Sequence, residues 1–289
     1  MSGRMLVNPS DENRSIVDRY LRAWLSQATG SSGNRSWTDT LVCPEYIDYG
    51  FNAAANRPRS SARGPAALPG LTSLVSALSD YRVSIAPVGS ERDLVAAHIA
   101  IRGRHSSSPL LGVQATGTII VCEATLICRL KDGRLYEQWG GFDTLGLACQ
   151  LGLAQLCDSQ SPGHRGQLEM AATPREAARY YWETCFNERH LQHLDAAETC
   201  LLAVFPDGRV RVDDVFAEGD LVCSRISARG THRGAWLGAP PTGKTISFEG
   251  VFIWRLADGQ LAQRWGGLDR WWMAQQLDIV SRSLSVLEA

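Results

Sequence analysis

The sequence has no excess of charge of either sign and no long apolar run. Its 29 Lys and Arg residues balance 30 Asp and Glu residues, which gives a formal net charge of −1. That balance provides no attraction for nucleic acid or for an anionic membrane. No apolar run approaches the roughly 20 residues of a membrane-spanning helix, and residues 1–15 lack the apolar core of a signal peptide. We therefore expect no nucleic-acid partner and no membrane association.

Cysteine is present without the spacings that usually give it a function. The eight cysteines form no Cys-x-x-Cys pair and no Cys/His set typical of zinc. Several stand beside Leu, Ile and Val in strand or helix patterns. They are best interpreted as buried free thiols in a reducing compartment. We expect a cytoplasmic protein without a bound metal.

One segment of the chain occurs twice, at a constant offset of 126 residues. Residues 123–143 read EATLICRLKDGRLYEQWGGFD and residues 249–269 read EGVFIWRLADGQLAQRWGGLD, with 11 identities in 21 positions. The identities include the tryptophan, the glycine pair and the final aspartate of each copy. This agreement predicts an internal duplication.

Each half of the chain has a helical pattern followed by strand patterns. Helical spacing of apolar residues runs through residues 13–26, and Pro174 opens a matching helix. Strand patterns follow in both halves, and Asp132-Gly133 favours a tight hairpin. Two tandem α+β domains are predicted, at 1–157 and 173–289, joined by a polar linker at 158–172.

The strand patterns assign side chains to two faces. In the longest strand of the first half, apolar residues from Cys122 to Leu130 alternate with a second set that contains Glu123 and Arg129. Glu123 pairs in the alignment with Glu249, and Arg129 with Arg255. Ion pairing between these repeated residues would make them structural.

The halves are unequal in length. Tyr20 and Arg82 are 62 positions apart, whereas the aligned Tyr180 and Arg209 are 29 apart, so the second half lacks 33 residues. The missing part is the region of the second helix and the loop after it.

The aspartates that close the repeat, Asp143 and Asp269, are the first candidates for chemistry. Each follows a glycine pair beside bulky apolar residues, where desolvation would raise the pKa of a carboxyl group and suit it to acid–base work. Each also precedes a helical pattern, where aspartate is a good N-cap. The residues alone leave both interpretations open.

Other motifs carry weaker signals. His105 and His232 align near strand ends, where they would line a pocket or bond to a loop. Trp182, Trp254 and Trp265 would line a ligand pocket or fill a core. Residues 238–245 match a phosphate-binding loop, but the strand pattern and the proline pair argue against it.

The segments around these residues resemble the SnoaL-like polyketide cyclase family. They are RGTHRGAWLGAPPTGK at 229–244, RLADGQLAQRW at 255–265 with Asp269, and RLKDGRLYEQW at 129–139 with Asp143. The resemblance implies a nuclear transport factor 2-like cone, with helices packed in a curved antiparallel sheet around one pocket. It also implies a cofactor-independent enzyme of polyketide and antibiotic biosynthesis that closes a ring by an intramolecular aldol step.

In that family the aspartate after the tryptophan is the acid–base residue, which falls on Asp143 and Asp269. Tyr49 stands where the family commonly has a histidine, and the second copy lacks that segment, so we expect an open wall there. Relatives include hydroxylases and epoxide-opening enzymes, and the fold does not choose among them.

Two hypotheses follow. In the first, the protein is a cyclase-like enzyme for a small polyketide-like molecule, with Asp143 as acid–base residue and Tyr49, His105 and Trp139 around the substrate. Asp269 would form a second site, whose substrate-binding residues would be His232, Trp254 and Trp265. In the second hypothesis the chain is a non-catalytic ligand-binding pseudo-dimer, a monomer or a homodimer, paired through the outer sheet faces.

Overall fold

Two α+β units follow one another along the chain. The structure is a computed structural model that describes residues 9–28, 36–50, 69–154, 173–257 and 260–280. Each unit carries helices on one face of its own sheet. This confirms the predicted tandem α+β fold. The predicted linker at 158–172 lies outside the described residues, so its boundaries stay a prediction.

The first domain places its first helices before the sheet and a short helix after it. In chain order its elements are α1 (Pro9–Ala28), α2 (Ser36–Leu41), β1 (Val42–Gly50), α3 (Pro69–Ala77), β2 (Leu78–Glu91), β3 (Leu94–His105), β4 (Ile119–Lys131), β5 (Arg134–Phe142) and α4 (Thr144–Gln150). The sheet order is β1-β5-β4-β3-β2. β1 pairs with β5 in parallel and the other pairs are antiparallel, so the sheet is mixed.

The hairpin between β4 and β5 turns at the predicted dipeptide. Asp132 and Gly133 both have positive φ, at 52° and 71°. A two-residue turn with both φ values positive matches the twist of the flanking strands. Lys131 pairs with Arg134 across it. The Asp-Gly signal therefore sets the register of the central strands.

The alternation predicted for β4 is confirmed. Cys122, Leu126 and Cys128 lie on the face that packs against α1 and contribute to the first core. Ile127, on the opposite face, packs in a different cluster with residues of the second domain. We call the face toward α1 the inner face and the other the outer face.

The second domain repeats this plan with one strand fewer. Its elements are α5 (Pro174–Arg179), a π-helical segment (Tyr180–Phe186), a 3-10 turn (Leu191–His193), α6 (Ala196–Val204), β6 (Arg209–Glu218), β7 (Leu221–Thr231), β8 (Thr245–Ala257), β9 (Gln260–Leu268) and α7 (Arg270–Gln276). The sheet order is β6-β7-β8-β9. Within the described residues no strand corresponds to β1, so β9 is an edge strand.

Burial corrects the alignment of the first helices by one residue. Tyr20 is 1% exposed, and its counterpart by burial is Tyr181, also 1% exposed. Tyr180, the residue aligned from the sequence, is 37% exposed. The helix α6 matches α3 at an offset of 127 residues. The truncation thus removes α2, β1 and the segment after β1.

The two sheets pack through their outer faces. The apolar contact joins Ile127 and Trp139 of the first domain to Phe216, Val251 and Ile253 of the second. Ion pairs cross the same boundary; they are Arg14–Glu218, Arg129–Asp214, Arg175–Glu91 and Arg270–Asp143. The chain is therefore an internal pseudo-dimer. No helix in the described ranges is long and apolar enough to cross a membrane.

Candidate functional site

The two aspartates of the repeat are helix N-caps. Asp143 Oδ1 accepts a hydrogen bond from the Gly146 backbone N–H at 3.0 Å, at the start of α4. Asp269 Oδ1 accepts one from the Trp272 N–H at 2.9 Å, at the start of α7. An aspartate in this position satisfies an N–H group that the helix leaves without a partner. The geometry supports the capping interpretation that the sequence left open.

Asp143 also binds the second domain. Arg270 Nη2 donates to both of its carboxylate oxygens, at 3.0 and 2.9 Å. The pair joins the start of α4 to the start of α7. Glycine at position 146 leaves room for the Asp143 carboxylate against the first turn of α4, since a Cβ there would lie 2.2 Å from Asp143 Oδ2. The carboxylate therefore has a cap and an ion pair as its partners, which is a structural role.

Tyr49, Trp139 and Trp265 lie on the outer faces and do not line an interior. Tyr49 and Trp139 stack with ring centroids 5.5 Å apart. Trp265 packs with the apolar residues of the domain boundary. The strand period explains the difference from prediction: Trp139 pairs with Ile127, and cross-strand partners share a face. The predicted pocket role of these three aromatic residues does not fit their positions.

His105 and His232 each organise one loop. His105 Nδ1 lies 3.2 Å from Thr116 Oγ1, and His232 Nδ1 lies 3.0 Å from Thr242 Oγ1. Both side chains are fully buried, and burial lowers the pKa of His232. The structure does not place either ring with the inner polar groups described below. The loop-bonding interpretation fits better than a pocket role.

The loop that resembles a phosphate-binding motif is followed by a strand. Residues 245–257 form β8, and the Thr242 N–H donates to His232 Nδ1 at 3.1 Å. A phosphate-binding loop needs a helix N-terminus at this place. The structure agrees with the rejection of this motif.

Trp254 is the predicted ligand residue that does lie on an inner face. It is fully buried and stacks with Trp182 at 5.7 Å. Tyr181 meets it edge-on at 5.1 Å, and Phe252 lies 6.2 Å away. These rings pack against each other, so the interior of the second domain is a filled aromatic core.

The first domain carries smaller side chains at the matching inner positions. The pairs are Leu21 and Trp182, Leu25 and Phe186, Leu78 and Phe205, Cys122 and Phe248, Leu126 and Phe252, and Cys128 and Trp254. The backbone plan is shared while the side-chain volume differs. The first domain therefore carries the smaller side-chain volume at these positions.

A group of polar side chains lies at the inner face of the first domain. Tyr20 Oη donates to Gln138 Oε1 at 3.2 Å and lies 3.4 Å from Tyr46 Oη. Asp48 is fully buried beside them, with Oδ1 accepting from the Gly50 N–H at 2.8 Å. Gln138 Nε2 is buried and has no hydrogen-bond partner in the described part of the chain. We call these four residues the inner polar group.

The electrostatics of the inner polar group keep both phenols protonated. Burial raises the pKa of Tyr20 and of Tyr46 well above the usual value, and the charge of Asp48 adds to both shifts. A buried neutral phenol is a hydrogen-bond donor. The Tyr20 proton is directed at Gln138 Oε1, and the Gln138 amide N–H groups have no acceptor among the described residues.

The second domain has a different set of polar residues at its inner face. Tyr181 Oη donates to Glu198 Oε2 at 2.9 Å, and Arg264 Nη1 lies 3.0 Å from both Glu198 oxygens. Arg264 Nη1 also pairs with Asp195. Arg264 occupies the position of Gln138, at the offset of 126. Here every carboxylate oxygen of Glu198 has a partner, so the group is a closed network.

The network has opposite effects on its two acids. Burial raises the pKa of Glu198 to about 7, although Arg264 opposes the shift. Burial also acts to raise the pKa of Asp195, but its hydrogen bond with Glu198 and the charge of Arg264 bring it below the ordinary value. The network joins α6 to β9, along the edge that β1 covers in the first domain. It fills part of the wall that the sequence predicted to be open.

Sequence reasoning missed both groups, although signals for them exist. Tyr46 and Asp48 alternate with Ile47 and Tyr49 along β1, so choosing Tyr49 selected the wrong face of that strand. The sequence Asp195-Ala-Ala-Glu198 has the spacing of a capping box and marks the start of α6, a helix that was not predicted. Gln138 and Arg264 stand directly before the repeated tryptophans. Among the described residues, no group of three or more His, Cys, Asp or Glu could hold a metal ion.

Comparison with known proteins places the chain in a family. The family model for SnoaL-like polyketide cyclases matches residues 16–151 and 176–277. None of the curated proteins compared with the chain matches it. Among solved structures, AclR from Streptomyces galilaeus is 29% identical, with 29% of this chain and 64% of AclR covered at a TM-score of 0.28. The chain thus spans less than two thirds of AclR.

Two further structures are similar to parts of the chain. TsrD from Streptomyces laurentii is 25% identical over 48% of this chain and 97% of TsrD, at a TM-score of 0.36. Wild-type IdmH from Streptomyces antibioticus is 24% identical over 37% of this chain and 99% of IdmH, at a TM-score of 0.32. These scores carry no argument about function. Because the family model matches both domains in tandem, the chain belongs to the SnoaL-like polyketide cyclase family.

Proposed function

We propose that the first domain is a cyclase-type enzyme whose substrate-binding site is its inner face. The observation that carries this proposal is the inner polar group of Tyr20, Tyr46, Asp48 and Gln138. It combines a buried carboxyl group with an amide donor that has no partner among the described residues. Apolar side chains from α1, β3 and β4 surround it. Such a lining suits a small, mostly apolar molecule that carries a few oxygens.

Asp48 is the proposed acid–base residue. In an aldol-type closure it takes a proton from the carbon beside a substrate carbonyl, which leaves an enolate. The enolate carbon bonds to a second carbonyl carbon of the same molecule, whose oxygen gains the electron pair and then the proton. Substrate and product are isomers, and the step consumes no cofactor. The contribution of Asp48 is proton transfer at a fixed position.

Gln138 is the proposed oxyanion donor. Tyr20 donates to its Oε1, and its Nε2 has no hydrogen-bond partner among the described residues. A fixed donor in a dry site stabilises the oxygen on which charge develops. The matching Arg264 of the second domain is already bound to Glu198 and Asp195. We therefore assign turnover to the first domain alone.

The test is to compare Asp48→Asn with Tyr49→Phe, its neighbour on the other face of β1. Each variant is incubated with a panel of aromatic polyketide intermediates, and product is followed by absorbance and mass spectrometry. We expect Asp48→Asn to lose at least about a hundredfold in kcat, with circular dichroism unchanged, and Tyr49→Phe to stay within about threefold of wild type. Equal turnover of the two variants would contradict the assignment.

The second candidate is a non-catalytic ligand-binding pseudo-dimer. The observation that favours it is that Asp143 and Asp269, the acid–base residues expected from the family resemblance, both cap helices. If this candidate is correct, Asp48→Asn and Gln138→Leu weaken binding of the same compounds, and wild-type protein yields no product. A loss of turnover in Asp143→Asn at full stability would instead return the acid–base role to Asp143.

A further inference from the structure

The outer face of the first sheet carries an exposed basic and apolar surface that the domain contact does not cover. It consists of Arg82 on β2, Arg102 and Arg104 on β3, and Ile119 and Val121 on β4. Ile119 and Val121 are 44% and 42% exposed. The three arginines are exposed as well. We call these five residues the arginine face.

Strand register places the five side chains together. Arg102 pairs with Arg82 on one side and with Val121 on the other, and Arg104 pairs with Ile119. Cross-strand partners project on the same side of a sheet, about 5 Å apart. The two apolar side chains thus lie directly beside two of the arginines. The result is one continuous surface across three strands.

The charges of this surface are not neutralised within the described part of the chain. None of its arginines has an ion-pair partner there, and Arg104 Nη1 donates only to the Gly117 carbonyl, at 2.7 Å. The next carboxylate along this face of β4 is Glu123, which pairs with His98 at 3.5 Å. By contrast, Arg129 and Arg225 at the domain contact bind carboxylates. The arginine face is an excess of positive charge on a protein of net charge −1.

The second domain keeps two of these five residues, with Arg209 in the place of Arg82 and Arg229 in the place of Arg102, and replaces the other three. At the positions matching Ile119 and Val121 it has Thr245 and Ser247, and Thr231 matches Arg104. The same strands form there with the same register. Apolar side chains exposed to water cost solvation free energy without adding to the core. Their presence on one copy only points to contact with a partner.

The arginine face is anchored to α4 by a pair of hydrogen bonds. Gln150 of α4 accepts from the Val121 N–H at 2.8 Å and donates to the Val121 carbonyl at 2.7 Å, where β5 has already ended. The segment between Arg104 and Ile119 carries Leu110 and Leu111, which pack into the first core. A molecule bound at the arginine face would contact the base of that segment.

We propose that the arginine face is the docking surface for a protein partner that presents an acidic amphipathic helix. Glutamates or aspartates along one edge of the helix bind the three arginines, and apolar side chains between them cover Ile119 and Val121. The arginines give the contact its charge complementarity and the apolar pair gives it buried area.

The probe is a stapled synthetic helix with glutamates flanking a leucine stripe, labelled for fluorescence anisotropy. The protein is the full chain, with variants Arg102→Glu and Ile119→Thr/Val121→Ser; the latter residues are those of the second domain. The matched control is Arg229→Glu, since Arg229 takes the place of Arg102 in the second domain. We expect both first-domain variants to weaken binding at least about tenfold, and the control to bind as wild type does.

Salt and lipid measurements complete the test. Wild-type binding should weaken as salt rises, because exposed charges are screened. The proposal is overturned if the helix does not bind, if Arg229→Glu weakens binding as much as Arg102→Glu, or if a glutamine version of the helix binds equally well. Stronger binding to phosphatidylglycerol vesicles, lost in the same variants, would also overturn it in favour of a membrane surface.

Discussion

The two domains share a backbone plan and differ in what fills their inner faces. The second domain packs Trp182, Phe252 and Trp254 where the first has Leu21, Leu126 and Cys128. It also binds Arg264 to Glu198, whereas Nε2 of the matching Gln138 has no partner in the described ranges of the chain. Both oxygens of Glu198 have partners in the second domain, and large rings there take the positions held by Leu and Cys in the first. The difference supports the proposal that turnover belongs to the first domain and that the second serves as a scaffold.

The largest expected effect is the loss of stability when a buried side chain is removed from the inner face of each domain. Trp254→Ala removes a fully buried ring from the aromatic core and should lower the free energy of unfolding by about 3–5 kcal/mol. Cys128→Ala at the matching position should lower it by about 1 kcal/mol. Chemical denaturation followed by circular dichroism measures both. Similar losses for the two variants would show that the interiors are equally filled.

A second test concerns the closed network of the second domain. Burial raises the pKa of Glu198 to about 7, so its protonated form is favoured in the folded state. Its contribution to stability is complete below its ordinary pKa and is lost as pH rises through about 7. Relative to Glu198→Gln, wild type should lose on the order of 1–3 kcal/mol across this range. Parallel pH profiles of unfolding for the two proteins would contradict the assignment.

A third test compares the two helix caps. Asp143→Ala and Asp269→Ala should each lower stability by about 0.5–2 kcal/mol, because both aspartates cap a helix, whereas Asn caps as well as Asp and keeps that contribution. The Asp143 variant should lose up to about 1 kcal/mol more through its ion pair with Arg270. In a double-mutant cycle Arg270→Ala should couple to Asp143→Asn and not to Asp269→Asn. Coupling to both, or to neither, would show that the ion pair does not distinguish the caps.

The smallest effect tests the domain contact. Arg225 lies over the Trp139 ring at 4.8 Å, and at the matching place His98 faces Trp265 at 6.2 Å. In double-mutant cycles Arg225→Ala should couple to Trp139→Leu by about 1 kcal/mol, and His98→Ala to Trp265→Leu by about half of that. Thermal unfolding of each variant measures the difference. A larger coupling between His98 and Trp265 would reverse the order of the two contacts.

The sequence predicted the elements that depend on local patterns. The internal repeat predicted the tandem fold, Asp132-Gly133 predicted the hairpin, and the alternation of apolar and polar residues predicted the inner face of β4. The site was harder to predict because it depends on long-range placement. Asp48 faces inward because β1 pairs with β5 in parallel, and no local pattern specifies that pairing. Trp139 faces outward because the register of β5 against β4 shifts near the hairpin, before the strand reaches Trp139.

Fusion of the two copies gives the domain contact a freedom that a dimer of identical subunits lacks. In a symmetric dimer every substitution appears on both sides of the two-fold axis. Here Arg225 packs on Trp139, whereas at the matching place His98 packs on Trp265. Arg270 of the second domain also binds Asp143 of the first. Because both domains belong to one chain, a substitution on one side of the domain contact leaves the matching residue on the other side unchanged. Selection can therefore alter the two sides independently.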